Sequence, residues 1–294
     1  MAVRNDRARS DFSALNKIAR DIHGPEARIV DSARSGVPGQ VDAKDTLEFV
    51  KGGTTVSKAL GVDGTEDLVF RKHVVDAAYA LAAGGASFSG HHSTDKVNKT
   101  LWTMGYGGKM AVRKFMPDGS IGKPSAALRD IFENGQQYGF ECATAMMVIY
   151  HKAILDHIGD AAFDKLFSEP RMLAFFRWDI EDSDFKDVKR LTMKPMPLVP
   201  GSHYYYKNPD ASDANSAFGG ENVIYLGDGK YYAHGCVGDE GTYIIDEKDL
   251  MRTLSALRRP GATAMPFRID MEMHMDGLAV STLAVPGGVS RGQG

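Results

Sequence analysis

Apolar residues at Met146, Met147, Tyr150, Ala153 and Ile154 recur at helical spacing along ECATAMMVIYHKAILDHIG, which predicts a helix opening at Glu141 and stopping at Gly159. Further helices are expected from Asp11 to His23, through Phe12, Leu15, Ile18 and Ile22, and from a Thr65 cap through Leu68, Val69, Val75, Ala78 and Tyr79 to Gly84. Pro124 to Glu133 reads the same way, as does Glu247 to Arg259, a basic-ended helix stopped by Pro260–Gly261. Trp102 to Met116 has the composition of strands around a glycine turn. From Glu221 to His234, two apolar and aromatic runs flank Gly227–Asp228–Gly229, a strong hairpin signal, and Gly241 to Asp246 supplies a third strand.

This pattern is dense only over residues 65–285. Residues 1–64 read as a partly ordered N-terminal extension, because Asp31 to Gly64 is rich in Gly, Ser, Asp and Lys and poor in large apolar side chains, so loops or weak order are expected there. Residues 286–294 read as a disordered tail.

Composition narrows the function classes. The chain has 294 residues, 43% hydrophobic and 25% charged, as expected of an ordinary globular protein. A formal net charge of −3 gives no electrostatic footprint for nucleic acid or anionic membrane. The opening MAVRNDRARSDF has no apolar core of a signal peptide, so cytoplasmic synthesis is expected, and no apolar run is long enough to span a bilayer. Two cysteines, Cys142 and Cys236, suit a reducing compartment better than a disulfide framework.

Cys142 carries the first candidate chemistry. A thiol in the first helical turn lies among N–H groups without intrahelical partners, at the positive end of the macrodipole, and both effects favour thiolate near neutral pH. The hairpin carries the second. Glu221 and His234 start one strand and end the other, so folding makes them neighbours. A two-residue Asp228–Gly229 turn pairs Val223 with His234 and leaves Glu221 on the same face, which is the expectation; a three-residue turn pairs Asn222 with His234 and turns Glu221 away. A nucleophile on a helix start and an acid–base pair on a ribbon are the components of thiol catalysis. The helix-then-sheet order is α+β, an order that papain-like cysteine hydrolases share.

Several motifs in one order go further. Ser125 to Ile131 with Glu133–Asn134–Gly135, Phe140–Glu141–Cys142–Ala143–Thr144–Ala145, Trp178–Asp179, His203 to Pro209, Gly220–Glu221–Asn222–Val223–Ile224 and Tyr231–Tyr232–Ala233–His234–Gly235 resemble the calcium-independent transglutaminases of bacterial spore coats. The resemblance covers about Ser125 to Asp246. It implies protein-glutamine γ-glutamyltransferase activity through a thioester, in spore-coat assembly, on an NlpC-like, papain-related core with 65–285 as the catalytic domain. It implies Cys142 as nucleophile, Glu221 as its partner, Glu141 as a partly redundant second carboxylate and His234 in the same pocket. Phe88 and Trp178 become aromatic walls of a substrate tunnel, joined by Phe218, where the family has tryptophan. Where the family has an aliphatic residue stands Cys236, which reads as packing.

The expected partners are proteins with accessible glutamine and lysine, with no nucleic acid, no membrane, a monomeric state and no cofactor. In the expected chemistry, N–H groups of the helix start hold the oxyanion, and Glu221 or Glu141 moves protons at a pKa raised by its surroundings. Two carboxyls beside one thiol imply that at least one is protonated at rest. The competing readings are a cysteine-dependent glutamine deamidase or amidase and a non-catalytic coat scaffold. His91–His92, the group Met271, Met273, His274 and Met275, and the run Asp210, Asp213, Asn215 all make poor metal sites, by direction or by lack of a central glycine.

Overall fold

A computed structural model describes residues 17, 20, 25, 28–31, 47–51, 54–55, 64–89, 96–104, 110–168, 173–175, 189–191, 198–212, 219–269 and 271–273. Of the expected Asp11 to His23 helix, only Lys17 and Arg20 fall within these residues, and both are helical. The 286–294 segment, His91, His92, His274 and Met275 fall outside them.

The framework is an antiparallel sheet of five strands in the spatial order Ile244–Asp246, Lys230–Ala233, Gly220–Gly227, His203–Lys207 and Phe267–Ile269. Strand alternation sorts its side chains into two cores. Ile224 and Tyr232 face the helices Gly64–Gly84, Pro124–Glu133 and Cys142–Ile158. Val223, Tyr231 and Ala233, with Tyr204 and Tyr206 of the neighbouring strand, face the helix Glu247–Ala256 through its Leu250 and Leu254. The sheet is therefore covered on both faces.

The helix Cys142–Ile158 lies innermost, packed on the Gly64–Gly84 helix and on the Gly220–Gly227 strand. All but four of its 17 residues are buried, and few of them are polar, as befits a helix with protein on every side. Its entry is set by Gly139–Phe140, which pairs in parallel with Ser87–Phe88 and so brings Phe88 beside Phe140 just before the cysteine. Gly159, at φ 81°, ends it.

Three expectations change. Strands Leu47–Lys51 and Thr54–Thr55 join Arg28–Asp31 in a small sheet, although loops or weak order were expected from Asp31 to Gly64; backbone pairing needs no long apolar run, so composition did not mark them. The second helix starts at Gly64, so Thr65 lies inside it and is not its cap. The last helix ends at Ala256, before Arg258 and Arg259, where the Leu257 and Arg258 N–H groups turn to the Leu254 and Ser255 carbonyls and the Arg259 N–H to the Asp210 carbonyl.

The hairpin turn is the expected two-residue one. Asp228 and Gly229 take φ of 52° and 71°, the pair of positive values that a type I′ turn requires. The register is not the expected one. A bulge between Tyr225 and Gly227 shifts the strands by one residue, so Val223 pairs with Ala233 and not with His234. That shift carries Asn222, rather than Glu221, onto the face of His234. Glu221 falls opposite Gly235 and reaches the site from the end of its strand.

Candidate active site

Glu141 is the cap of the Cys142–Ile158 helix. Its backbone is extended, and its carboxylate accepts from the Ala143 N–H at 2.6 Å, from the Thr144 N–H at 2.8 Å and from the Thr144 hydroxyl. Its carbonyl accepts from the Ala145 N–H at 3.1 Å. The Ala143, Thr144 and Ala145 N–H groups, among the first-turn donors expected to hold an oxyanion, are thus already occupied. Glu141→Ala exposes these donors and should destabilise the fold by about 2 kcal/mol, read from urea denaturation. Glu141→Gln keeps one carbonyl acceptor, and activity within about tenfold of wild type is the expected result.

Cys142 opens the helix and is 1% exposed. Its sulfur receives the side-chain amide of Asn222, with Nδ2 at 3.2 Å from Sγ. Burial, then the like charge of Glu221, push the thiol well above its ordinary range, and Asn222 pulls the other way. A resting thiolate set by the helix terminus is therefore not what forms. Desolvation wins over the helix end, and the resting group is a thiol.

Glu221 is fully buried, opposite Tyr206 in the next strand. Oε1 accepts the Gly235 N–H at 2.9 Å, while Oε2 is buried without a hydrogen bond of ordinary geometry. Burial pushes this carboxyl up to about 8; the Gly235 N–H and the neighbouring Cys142 thiol draw it down, and the charge of Glu141 adds to the rise. One of the two carboxyls beside the thiol is thus protonated at neutral pH.

His234 is buried in an aromatic box. Its ring lies 4.5 Å from Tyr243, 5.9 Å from Phe140 and 6.3 Å from Phe88, centroid to centroid. Burial lowers it to about 4, so the ring is neutral. Both nitrogens are engaged, Nδ1 with the Tyr232 hydroxyl at 2.6 Å and Nε2 with the Ser87 carbonyl at 3.3 Å. Phe88 is half-buried beside it, its N–H bonded to the Tyr243 hydroxyl at 2.7 Å. Trp178 and Phe218 lie outside the described residues. Cys236 is buried with Tyr204, Val223 and Leu250 in the second core, and burial raises its thiol far above the ordinary range. Asp210 is bonded to Arg259 and to the Ala264 N–H, and no group of metal-ligating side chains forms among the described residues.

These groups set opposite pH slopes. Glu221 titrates near 4.5 unfolded and at about 8 folded, so its contribution is full below 4.5 and lost as pH rises through 8. His234 and His73, each lowered from 6.5 to about 4 by burial, contribute above 6.5 and lose it as pH falls toward 4. Urea midpoints should therefore peak near pH 6.5. Above it, Glu221 costs at most about 1.4 kcal/mol per pH unit, and Glu221→Gln should flatten that limb.

Sequence reading assigned no role to three residues that the structure brings to the site. Asn222 is one, and His203, whose Nε2 lies 2.8 Å from Asn222 Oδ1, is the second. Tyr205 is the third. Its ring closes over Gly220, where a Cβ would stand 2.2 Å from the phenol oxygen, and its ionisation is raised by burial and by Cys142 and Glu221. Strand alternation puts His203 and Tyr205 on the face of Asn222, a signal that depends on a register only the structure supplies.

A thiol beside a protonated carboxyl, on a helix packed against an antiparallel sheet, belongs to the class of thiol-dependent acyl-transfer enzymes. The family described as protein-glutamine gamma-glutamyltransferase matches residues 65–284. A protein of that name from Bacillus pumilus is 30% identical over 210 residues, which span 71% of this chain and 77% of the relative. One from Bacillus subtilis is 33% identical over 211 residues, spanning 70% and 78%. The solved structure of a transglutaminase from Geobacillus stearothermophilus, without its C-terminal extension, superposes with a TM-score of 0.59 at 28% identity, covering 74% of this chain and 95% of that one. The chain belongs to the protein-glutamine gamma-glutamyltransferase family. It is a transglutaminase, an acyltransferase acting on protein substrates, and its α+β core is of the papain-like kind.

Proposed function

We propose that Cys142 is the nucleophile and Glu221 the proton carrier of glutamine-to-lysine transfer, and that the substrates are proteins of a spore coat. The observation that carries the reading is the pairing of a 1%-exposed thiol with a fully buried carboxyl whose pKa is about 8. Such a pair holds its last proton in common, as thiol with carboxylate or thiolate with carboxylic acid. In the second form the sulfur attacks the glutamine carbonyl carbon. The C–N bond then breaks, the Glu221 proton goes to the departing nitrogen, and ammonia leaves a thioester. The Glu221 carboxylate next takes a proton from the lysine amine as nitrogen attacks. The C–S bond breaks, the isopeptide forms, and the proton returns to the pair.

Burial of the sulfur favours an amine over water in the second half. His234 keeps the pocket's shape as a neutral ring, Glu141 holds the cysteine at the helix start, and Phe88 lines the approach; a substrate-binding role for Trp178 and Phe218 rests on the family motifs alone. Residues 65–285 form the catalytic domain, with 1–64 an N-terminal extension and 286–294 a tail; the family match over 65–284 supports this division. The spore-coat setting is supported by the Bacillus relatives and by the motif set. A net charge of −3 supports a protein that acts without nucleic acid or membrane, and no described helix is long and apolar enough to cross one. The protein acts as a monomer.

The test is stoichiometry. With a glutamine donor and a primary-amine probe, ammonia released and amine incorporated should match. Ammonia in large excess over incorporated amine contradicts transfer and makes the protein a deamidase.

A further inference from the structure

An acyl transfer through a tetrahedral intermediate needs donors aimed at the oxyanion, and here three N–H groups of the helix start are already taken. The Ala143 and Thr144 N–H groups end on the Glu141 carboxylate, and the Ala145 N–H on the Glu141 carbonyl. The donor that does point at the reacting atom is a side chain from the sheet. Asn222 is 4% exposed, and its Nδ2 stands 3.2 Å from Cys142 Sγ. The other end of its carboxamide is held, because Oδ1 lies 2.8 Å from Nε2 of His203, a fully buried ring.

The directions agree. An amide oxygen is only an acceptor and an amide nitrogen only a donor, so the contact with Oδ1 requires a proton on Nε2 of His203. With the proton there, His203 and Cys142 each meet the end of the amide that suits them.

We propose that Asn222 is a catalytic residue that donates to the Cys142 sulfur and then to the oxyanion formed beside it, and that His203 is the positioning residue that keeps the amide from rotating. The oxygen that becomes negative belongs to the carbon bonded to Sγ. A donor already in contact with that sulfur needs only a small shift to reach the oxygen. In the first step the S–C bond forms, the carbonyl electron pair moves to oxygen, and the Asn222 N–H holds that charge. When the C–N bond breaks the pair returns and the N–H is released, so Asn222 exchanges no proton. Because the charge exists only in the transition state and the intermediate, the contribution falls on kcat more than on KM.

The proposal rests on Cys142 as nucleophile, and the experiment separates the two. Asn222→Ala and Asn222→Asp are compared with wild type and with Cys142→Ala for amine incorporation, for binding of a glutamine-analogue peptide aldehyde, which adds to the thiol as a tetrahedral adduct, and for alkylation by iodoacetamide. Asn222→Asp keeps the size of the side chain and an oxygen for His203 but loses the donor, so it covers the case in which the alanine variant fails to fold. For both Asn222 variants kcat should fall about 100- to 1000-fold with KM within about threefold, and aldehyde affinity should fall in step with kcat. Alkylation should remain stoichiometric but shift to higher pH. His203→Ala should lower kcat about tenfold, and His203→Gln, whose Nε2 can stand where the imidazole Nε2 stood, should recover most of it. A kcat within threefold of wild type in Asn222→Asp, or a loss confined to KM with aldehyde affinity unchanged, overturns the proposal. Full activity in Cys142→Ala overturns it too, by removing the nucleophile on which it rests; loss in Cys142→Ala with normal turnover in Asn222→Asp removes the donor role alone.

Discussion

Glu221→Gln should lower kcat by about 10²- to 10⁴-fold while leaving KM nearly unchanged, the effect of deleting a positioned acid–base group. The reason is specific to this carboxyl. It is buried, it accepts the Gly235 N–H, it neighbours the Cys142 thiol, and it is poised at about 8, where a group can both lose and regain a proton during turnover. Glutamine fits the same space and can still accept the Gly235 N–H, but it carries no proton. Glu141 cannot substitute fully, because its two oxygens are bound to the helix donors. Wild-type kcat/KM should rise with pH up to about 8, as the pair loses its first proton, and the variant's residual activity should lack that limb. A variant within threefold of wild type would show that protons travel by another group.

Cys142→Ala should bring amine incorporation to background, at least about 10⁴ below wild type, since it removes the sulfur that forms the acyl intermediate. The fold should survive, because alanine keeps the helical conformation and the Glu141 cap does not involve the sulfur. Cys236→Ala is the internal comparison. It is buried in the same core as Tyr204, Val223 and Leu250, so the loss should be one of packing, roughly 1 kcal/mol, with activity within twofold. Activity retained in Cys142→Ala and lost in Cys236→Ala would reverse the assignment.

How much of this was legible in the residues follows from how local each feature is. The nucleophile helix, with its glutamate at the start and its glycine stop, depends on neighbours within one or two turns, and spacing gave all three. The Asp228–Gly229 turn was equally local. The register was not, since a bulge between Tyr225 and Gly227 is settled by how the sheet packs on its helices, and a one-residue shift moves every later side chain to the other face. With the register went the identity of the residue that meets the sulfur from the ribbon. Asn222 lay in a motif already noted, yet only the pairing of Val223 with Ala233 puts it where it acts. The thiol's ionisation was misread for a related reason. A helix end is visible in sequence, whereas burial of Cys142 to 1% exposure is a property of the whole core, and here burial decides.

The capping role of Glu141 shows the same limit. A Glu before a helix is an unusual cap by preference, and nothing local says that its carboxylate will fold back onto Ala143 and Thr144 rather than face substrate. Sequence offered two carboxyls of similar standing. Their surroundings separate them, one bound to three donors at the helix end and one desolvated beside the sulfur.

The thioester itself can be weighed. Mixing the protein with a glutamine donor in the absence of any amine, quenching in acid within the first turnover and digesting for mass spectrometry should find the Cys142 peptide heavier by the donor minus ammonia, with Cys236 unmodified, and the adduct should vanish when amine is added before the quench. Ammonia released with no adduct at any time, or an adduct on another residue, would contradict the account.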